Sequence, residues 1–360
     1  MHLVAADTIR QQLELVFASW AMPEDHIKIC ITQMLEADLM GIDSHGIGML
    51  PTYAHNFDRG ALNVQPTVGT VNDFGALAWL DADHGMGHIA ATEAMTLAMQ
   101  KARTHGIGAV TVRNSNHFGA AGVYSNMARR EGLLGMCTTG TTQRSVVPTF
   151  GREPRFSTNP IAFAAPGDAQ ADGFSLDMAT STVAVGKLRI SARNQKAMPA
   201  GWVVDETGQP ETNPDRALDA TPKRLTPLGG TRTLGSHKGY GLAMMVEILS
   251  SVLSGSFVGS YNLRTGEQEH YINVGHFFLS IDPSGFTDDQ GGFDQRLDDL
   301  VTMLRDTAPA DPDQPVLVPG DPEWRAYTER AKNGIPIPPR LADEIREVAN
   351  AASVAYVLTQ

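Results

Sequence analysis

Cysteine is scarce in this chain: only Cys30 and Cys137 carry a thiol among 360 residues, and neither sits in a C-x-x-C or other ligand spacing. Lone thiols in apolar settings fit a reducing compartment and speak against a disulfide-stapled fold. Basic charge is also short, with a formal net charge of −12. Nucleic acid and anionic membrane both select basic surface, so neither is expected as a partner. No apolar run approaches the roughly 20 residues needed to span a bilayer. The opening M-H-L-V-A-A-D-T-I-R shows no basic leader followed by an apolar stretch. There is no G-x-S-x-G, so a nucleophile-elbow hydrolase is unsupported. There is no G-x-x-x-x-G-K-[ST] either, which leaves phosphate-loop nucleotide hydrolysis without its motif. A cytoplasmic protein is the expectation that survives these absences.

What is present suffices for a large core, since 42% of the residues are hydrophobic. The first 41 residues read as two helices. Asp7 is a candidate N-cap for a helix running to about Met22, Pro23 opens the second, and Gly41 stops it. Ile27, Ile31, Leu35 and Leu39 recur at i+4 and form one apolar stripe. From residue 65 to 280 strand-like and helix-like segments alternate. Extended segments are expected at Leu77–Asp81, Ala109–Arg113, Leu133–Thr138, Ile161–Ala165 and His276–Ile281. Helices are expected at Ile89–Ala102, Ala120–Glu131 and Lys238–Leu253. The Pro/Asp-rich Thr307–Pro322 reads as a connector, followed by a terminal helix near Leu341–Val357. This mixture implies an α/β (α+β) fold with a mixed sheet. The natural division is a helical domain from 1–72 and 308–360, around a sheet domain of 73–307.

Several turns carry polar side chains that a bland loop does not require. D-S-H-G-I-G-M at Asp43–Met49 follows a helix end and is either a polar turn or a proton-transfer site. H-G-M-G-H-I-A at His84–Ala90 contains G-x-G-x-x-A between a strand and a helix. A Rossmann site then needs an acidic residue about 20 positions on, where this chain has Arg113 and Asn114. A glycine-rich helix start packed on the sheet is the better reading. His84 and His88 stand four apart, but the glycines between them and the lack of a third ligand argue against zinc, and no metal is expected.

N-S-N-H-F-G at Asn114–Gly119 ends a strand and opens a helix, where backbone N–H groups favour anions. Capping explains the asparagines but not His117. F-S-T-N-P and L-D-M-A-T-S put hydroxyl residues at the ends of apolar runs, and Asp177 within the second needs a partner if buried. In G-S-H-K-G-Y-G, His237 and Lys238 begin an apolar helix. A cation there opposes the helix dipole, so a ligand phosphate and a solvated lysine are equally good explanations.

Taken in order, D-S-H-G, Tyr53, N-S-N-H-F-G, T-N-P, D-M-A-T-S, H-K-G and V-P-G-D resemble the malate/L-lactate dehydrogenase family of the non-Rossmann kind. The resemblance covers nearly the whole chain. D-S-H-G-I-G-M, Pro199–Pro214 and H-K-G-Y look most like its hydroxycarboxylate dehydrogenase B branch. The resemblance implies a homodimer that binds NAD or NADP on an unusual sheet domain and acts on a small 2-hydroxy or 2-oxo acid. It implies His45 as proton donor and His117 as a second active-site histidine. It gives Gly119, Ala120, Ala121, Leu176, Asp177, Met178, Ala179, Thr180, Ser181, His237, Lys238, Pro319, Gly320 and Asp321 as cofactor contacts, with His45 beside the nicotinamide. Ser44, Met49, Tyr53, Asn159 and Arg189 are the expected substrate contacts.

One departure stands out. Many members carry Arg four residues after the catalytic histidine, positioned to clamp the substrate carboxylate. Here the place is Met49, so Arg144, Arg155 or Arg189 must take over, or backbone N–H groups must. A flexible, polarisable Met suits an apolar or aromatic substrate tail rather than malate. Two alternatives stay open: a reductase for cyclic imine carboxylates on the same fold, and an inactive nucleotide-binding regulator. Asp321 near a ribose would favour NAD, whereas Arg113 or Lys238 would welcome the 2′-phosphate of NADP.

Overall fold

The computed structural model describes residues 2–140, 143–167, 173–258, 271–286 and 292–358. The chain opens with strand β1 (His2–Val4) and helices α1 (Ala6–Ser19), α2 (Glu24–Leu39) and α3 (Leu50–Asp58). Then come β2 (Gly69–Phe74), β3 (Leu77–Asp81), α4 (Gly87–His105), β4 (Ile107–Ser115) and α5 (Ala121–Arg130). Strands β5 (Leu134–Thr139), β6 (Ile161–Ala165) and β7 (Phe174–Met178) follow. Beyond them lie α6 (Val185–Arg193), the small hairpin β8 (Val203–Val204) and β9 (Pro210–Glu211), and α7 (Pro214–Asp219). The remainder is α8 (Ser236–Glu247), β10 (Val274–Ile281), α9 (Phe293–Arg305), α10 (Asp321–Asn333), β11 (Ile335–Ile337) and α11 (Pro339–Ala351).

Seven strands form one mixed sheet in the order β2-β3-β4-β10-β5-β6-β7. Only β3 and β4 pair in parallel; every other neighbour is antiparallel. Strands β3, β4, β5 and β7 therefore point the same way, and β2, β6 and β10 point back. One edge of the sheet collects the C-terminal ends of the first group and the N-terminal ends of the second. On that edge stand Asp81–His84, Asn114–His117, Thr139, Thr158–Pro160 and Asp177–Ser181, so turns scattered along the sequence share one rim. Side chains at strand ends of this kind face a crevice outside the sheet, where α/β proteins bind ligands.

Three apolar cores hold the chain. One joins both ends of the sequence: Ile9, Phe17, Ile31, Met34 and Tyr53 pack with Ile335, Ile337 and Ile345. A second fills the space between the sheet and helices α4 and α5, with Ala91, Met95, Val110, Tyr124 and Phe278. A third, smaller one gathers Val146, Leu188, Met198, Val203 and Leu225. Alanines on the buried face of α4 (Ala90, Ala91, Ala94, Ala98 and Ala102) let that helix lie close on the strands.

The structure departs from the sequence reading at identifiable places. Asp7 does not cap α1; the helix starts at Ala6 behind Ala5, which makes no side-chain cap, and Asp7 sits exposed in the first turn. An acid there still favours the helix dipole, which is why the sequence signal falls two residues late. The apolar helix begins at Ser236 and turns π-helical over Ile248–Val252. At that point Gly275 of β10 presses on the Ser250 carbonyl, where a Cβ would come within 1.9 Å. The connector ends at Gly320, two residues short of the expected Pro322, and α10, which the sequence reading did not assign, begins at Asp321.

Candidate active site

His45 sits on the loop between α2 and α3, just before a single 3-10 turn over Ile47–Met49. His117 sits on the turn between β4 and α5. The structure brings the two together, their rings stacked with centroids 5.5 Å apart at 26°. Tyr53, buried on α3, places its hydroxyl 2.9 Å from His117 Nδ1. The backbone N–H of Gly119 also donates to Nδ1, at 3.2 Å. A backbone amide can only donate, so Nδ1 is an acceptor and the His117 proton resides on Nε2. Tyr53 must then donate to Nδ1 as well. His117 thus presents an N–H donor away from its anchors.

His45 is held differently. Its Nδ1 lies 2.7 Å from the Ser44 hydroxyl, which can donate or accept, so this imidazole is free to change tautomer. Burial lowers the pKa of His45 below the ordinary imidazole value. His117 is driven well below it, by burial first and then by the neighbouring His45, His88 and His276. Both rings are therefore neutral near pH 7. Beneath them His88 is fully buried, edge-on to the Tyr53 ring at 5.5 Å. His276 is bonded on both sides, to Thr139 Oγ1 and Ser115 Oγ at 2.8 Å each, and stacks on Phe118 at 4.5 Å.

The glycine-rich turn at His84–Ala90 serves packing. A Cβ at Gly85 would meet Pro66 at 2.4 Å, and one at Gly87 would meet the Asn116 carbonyl at 2.3 Å. Arg113 is committed to Asp81 at 2.9 Å and to the Trp79 ring at 4.5 Å, which leaves it no ready role on a 2′-phosphate. His84 and His88 face different neighbours, Tyr271 and Tyr53.

Asp177 finds its partner at the start of α5, where its Oδ2 accepts the Gly122 N–H at 2.7 Å. The N-terminus expected to attract a phosphate thus already holds a carboxylate from β7. Ala120 and Ala121 are buried behind it. Leu176, Met178 and Ala179 are half-buried along the same edge. Thr180 donates its N–H to the Thr158 carbonyl at 2.8 Å, and Ser181 Oγ donates to the Val183 carbonyl at 2.9 Å. Asn159 is buried with φ +39°, accepting from Ser157 N–H and donating to Glu247 at 2.7 Å, a role within the framework.

Among the cations, Arg189 lies exposed on α6, and Arg155 pairs with Glu153. Arg144 is half-buried, a few residues beyond the end of β5, and donates to the Val258 carbonyl at 3.3 Å. Met49 is half-buried against the core built from both chain ends.

Two clefts flank the expected cofactor segments. His237 and Lys238 are exposed at the start of α8, beside a cleft of about 370 Å³ whose lining includes Arg152, Thr231, Arg232 and Ser236. Pro319, Gly320 and Asp321 lead into α10, beside a cleft of about 730 Å³ lined by Arg305, Asp321, Trp324, Arg325 and Lys332. Arg305 donates to Asp321 Oδ1 at 2.5 Å and Val318 N–H to Oδ2 at 2.9 Å, so the aspartate's charge is already offset. Sequence reasoning missed Asp38, a buried acid under the His45 loop. Its only sequence signal is an acidic side chain three residues past Leu35, beside the apolar stripe of α2.

A mixed sheet whose rim sets His117 against His45 of the α2–α3 loop defines an α/β fold distinct from the doubly wound dinucleotide-binding type. The chain belongs to the malate/L-lactate dehydrogenase family, whose model matches residues 4–346. It is 37% identical to malate dehydrogenase of Pyrococcus abyssi over 340 residues, 94% of this chain and 92% of that protein. It is 34% identical to hydroxycarboxylate dehydrogenase B of Escherichia coli, over 93% of this chain and 90% of the relative. Among solved structures, malate dehydrogenase of Entamoeba histolytica superposes with a TM-score of 0.91 at 33% identity, covering 98% of this chain and 99% of that one. A delta1-piperideine-2-carboxylate reductase of Pseudomonas syringae superposes with a TM-score of 0.82 at 28% identity, covering 97% and 100%. Among the described residues no helix is long and apolar enough to cross a membrane.

Proposed function

We propose that this chain uses NAD or NADP to interconvert a 2-hydroxycarboxylic acid and its 2-oxo acid, with His45 as the acid/base. The observation that carries the reading is the stacked pair of neutral imidazoles, one with a fixed tautomer and one free to exchange its proton. As a C2 carbonyl becomes a hydroxyl, its oxygen must gain a proton. In the reduction direction His45 must first be protonated from solvent, and the imidazolium then donates that proton; in the oxidation direction neutral His45 takes it and becomes an imidazolium. His117 offers Nε2–H to orient the same oxygen.

The bound cofactor would supply the hydride, and the protein supplies alignment and charge complementarity. His237 and Lys238 would hold it at the start of α8, and Pro319–Asp321 at the start of α10. The cationic lining of the two clefts suits a dinucleotide's phosphates. Gly119, at φ +78°, keeps the turn beside the histidines free of a Cβ that would come within 2.9 Å of His88. NAD and NADP both fall within this reading, because Arg305 offsets the charge of Asp321.

The substrate is a small acid whose tail is more apolar than malate's, since Met49 brings no charge. A second reading, reduction of a cyclic imine carboxylate, draws on the structural neighbour named for that activity. One panel separates these: 2-oxo acids, including oxaloacetate and phenylpyruvate, and cyclic imines, each with NADH and NADPH. Malate and oxaloacetate far ahead of the aromatic acids would sink the apolar-tail reading. Tight cofactor binding without any absorbance change at the nicotinamide band would instead mark an inactive regulator. Replacing His45 by Ala should lower turnover about 10²–10⁴-fold. If His117→Ala alone has that effect, the two roles are exchanged.

A further inference from the structure

The loop that carries His45 is gripped from below by a buried acid. Asp38, on the last turn of α2, is 1% exposed, and its Oδ2 accepts the Ile47 N–H at 2.8 Å. Only Gly46 separates Ile47 from His45. Gly46 lies flat on the same carboxylate: a Cβ there would fall 2.0–2.4 Å from the Asp38 carboxyl atoms. The other side of the loop is held by Arg330 of α10, which donates to the Asp38 carbonyl at 2.6 Å and pairs with Asp43. His45 therefore projects from a short segment pinned at Asp43 and at Ile47.

We propose that Asp38 is a positioning residue for His45: its carboxyl group fixes the Asp43–Ile47 loop in the register that stacks His45 on His117. This rests on the reading of His45 as the acid/base. The side chain touches no reacting atom, and it acts through the Ile47 amide.

Burial is the main influence on Asp38; it outweighs the Ile47 amide and, with Asp43 raising and Arg330 lowering, leaves the pKa raised to about 7. The group changes charge near neutral pH. An ionised acceptor makes the stronger bond to an amide, so the grip tightens as pH rises through that value. A displacement of about 1 Å in a catalytic group costs on the order of 10²-fold in rate.

The test compares Asp38→Asn and Asp38→Ala in the full chain, alongside His45→Gln. Turnover is followed from pH 5.5 to 9 with 2-oxo acid and nicotinamide cofactor, and folding is checked by circular dichroism. Asp38→Ala should lose 10- to 100-fold in kcat with the KM for cofactor changed less than about twofold. Asp38→Asn, whose amide oxygen still accepts from Ile47, should recover most of kcat and lack the inflection near pH 7. A folded Asp38→Ala at wild-type turnover would overturn the proposal. Should that variant fail to fold, an Asp38→Asn pH profile identical to wild type would overturn it. If His45→Gln keeps normal turnover, the acid/base reading falls first. If His45→Gln is inactive while Asp38→Ala is fully active, only the positioning proposal falls.

Discussion

The Tyr53 hydroxyl lies 2.9 Å from Nδ1 of His117, and because Gly119 N–H donates to the same nitrogen, Tyr53 is a donor there. This contact joins a helix of the end-built core to the turn after β4. It commits His117 to one tautomer, with the proton on Nε2.

Tyr53→Phe removes that donor without emptying the site. One hydrogen bond of this kind contributes about 1 kcal/mol, so turnover should fall about fivefold to tenfold while the protein remains folded. The loss should appear in kcat more than in the KM for cofactor. Steady-state kinetics checks it, and an unchanged kcat would mean that the Gly119 amide alone fixes His117.

The substrate carboxylate needs a cation that Met49 does not supply. Arg155 pairs with Glu153 and Arg189 lies exposed on α6, whereas Arg144 is half-buried beyond the end of β5 and donates to the Val258 carbonyl. Arg144→Met should raise the KM for a 2-oxo acid at least tenfold and leave cofactor affinity near wild type. Arg144→Lys should restore only part, because a point charge replaces a bidentate fork. If KM is unmoved by Arg144→Met, backbone amides bind the carboxylate.

Much of this site was legible in the sequence because its residues are punctuation. Histidines, asparagines and glycines at strand ends are visible without knowing which strands are neighbours. The expected strands at Leu77–Asp81 and Ile161–Ala165 match β3 and β7's neighbour β6 residue for residue, since apolar runs bounded by turns are local signals. What the sequence withheld is long-range. Nothing local says that Asp177 will cap α5, that Arg305 will take Asp321, or that Asp38 will face Gly46 across a turn. Those partners are fixed only when the sheet order brings their elements together. Helix α10 was missed because its surface is polar and mostly exposed, which blurs the apolar period, whereas α9 carries a readable one at Phe293, Leu297, Leu300 and Leu304.

Two buried groups should make stability depend on pH in opposite senses. His88 has its folded pKa depressed to about 3 by burial first and by His45 second, so the unfolded chain binds its proton more readily. Stability from this group is full above pH 6.5 and falls as pH drops, by about 2 kcal/mol at pH 5. Asp38 has its folded pKa raised to about 7, so the folded chain binds the proton more readily. Its contribution is full below about pH 4 and declines as pH rises to 7, at about 1.4 kcal/mol per unit. Thermal melts of His88→Leu should show a smaller drop between pH 7.5 and 5 than wild type. Those of Asp38→Asn should gain on wild type as pH rises from 5 to 8. Parallel curves for variant and parent would mean that neither group titrates between folded and unfolded states.

The outer surface of α8 and its π turn exposes Met244, Met245, Ile248, Val252 and Leu253. Leu253 lines an apolar cleft of about 280 Å³ with Phe74, Leu77, Trp79 and Phe277. Phe74 is 74% and Leu77 54% exposed, on the paired strands β2 and β3. A contiguous apolar surface of this extent is a site for association rather than for water. We therefore expect a homodimer that covers α8 and the β2–β3 edge. Sedimentation should give about twice the 38.7 kDa chain mass. Val252→Asp with Leu253→Asp should shift it to the monomer. A wild-type monomer at micromolar concentration, or a double variant that stays dimeric, would place the contact elsewhere or remove it.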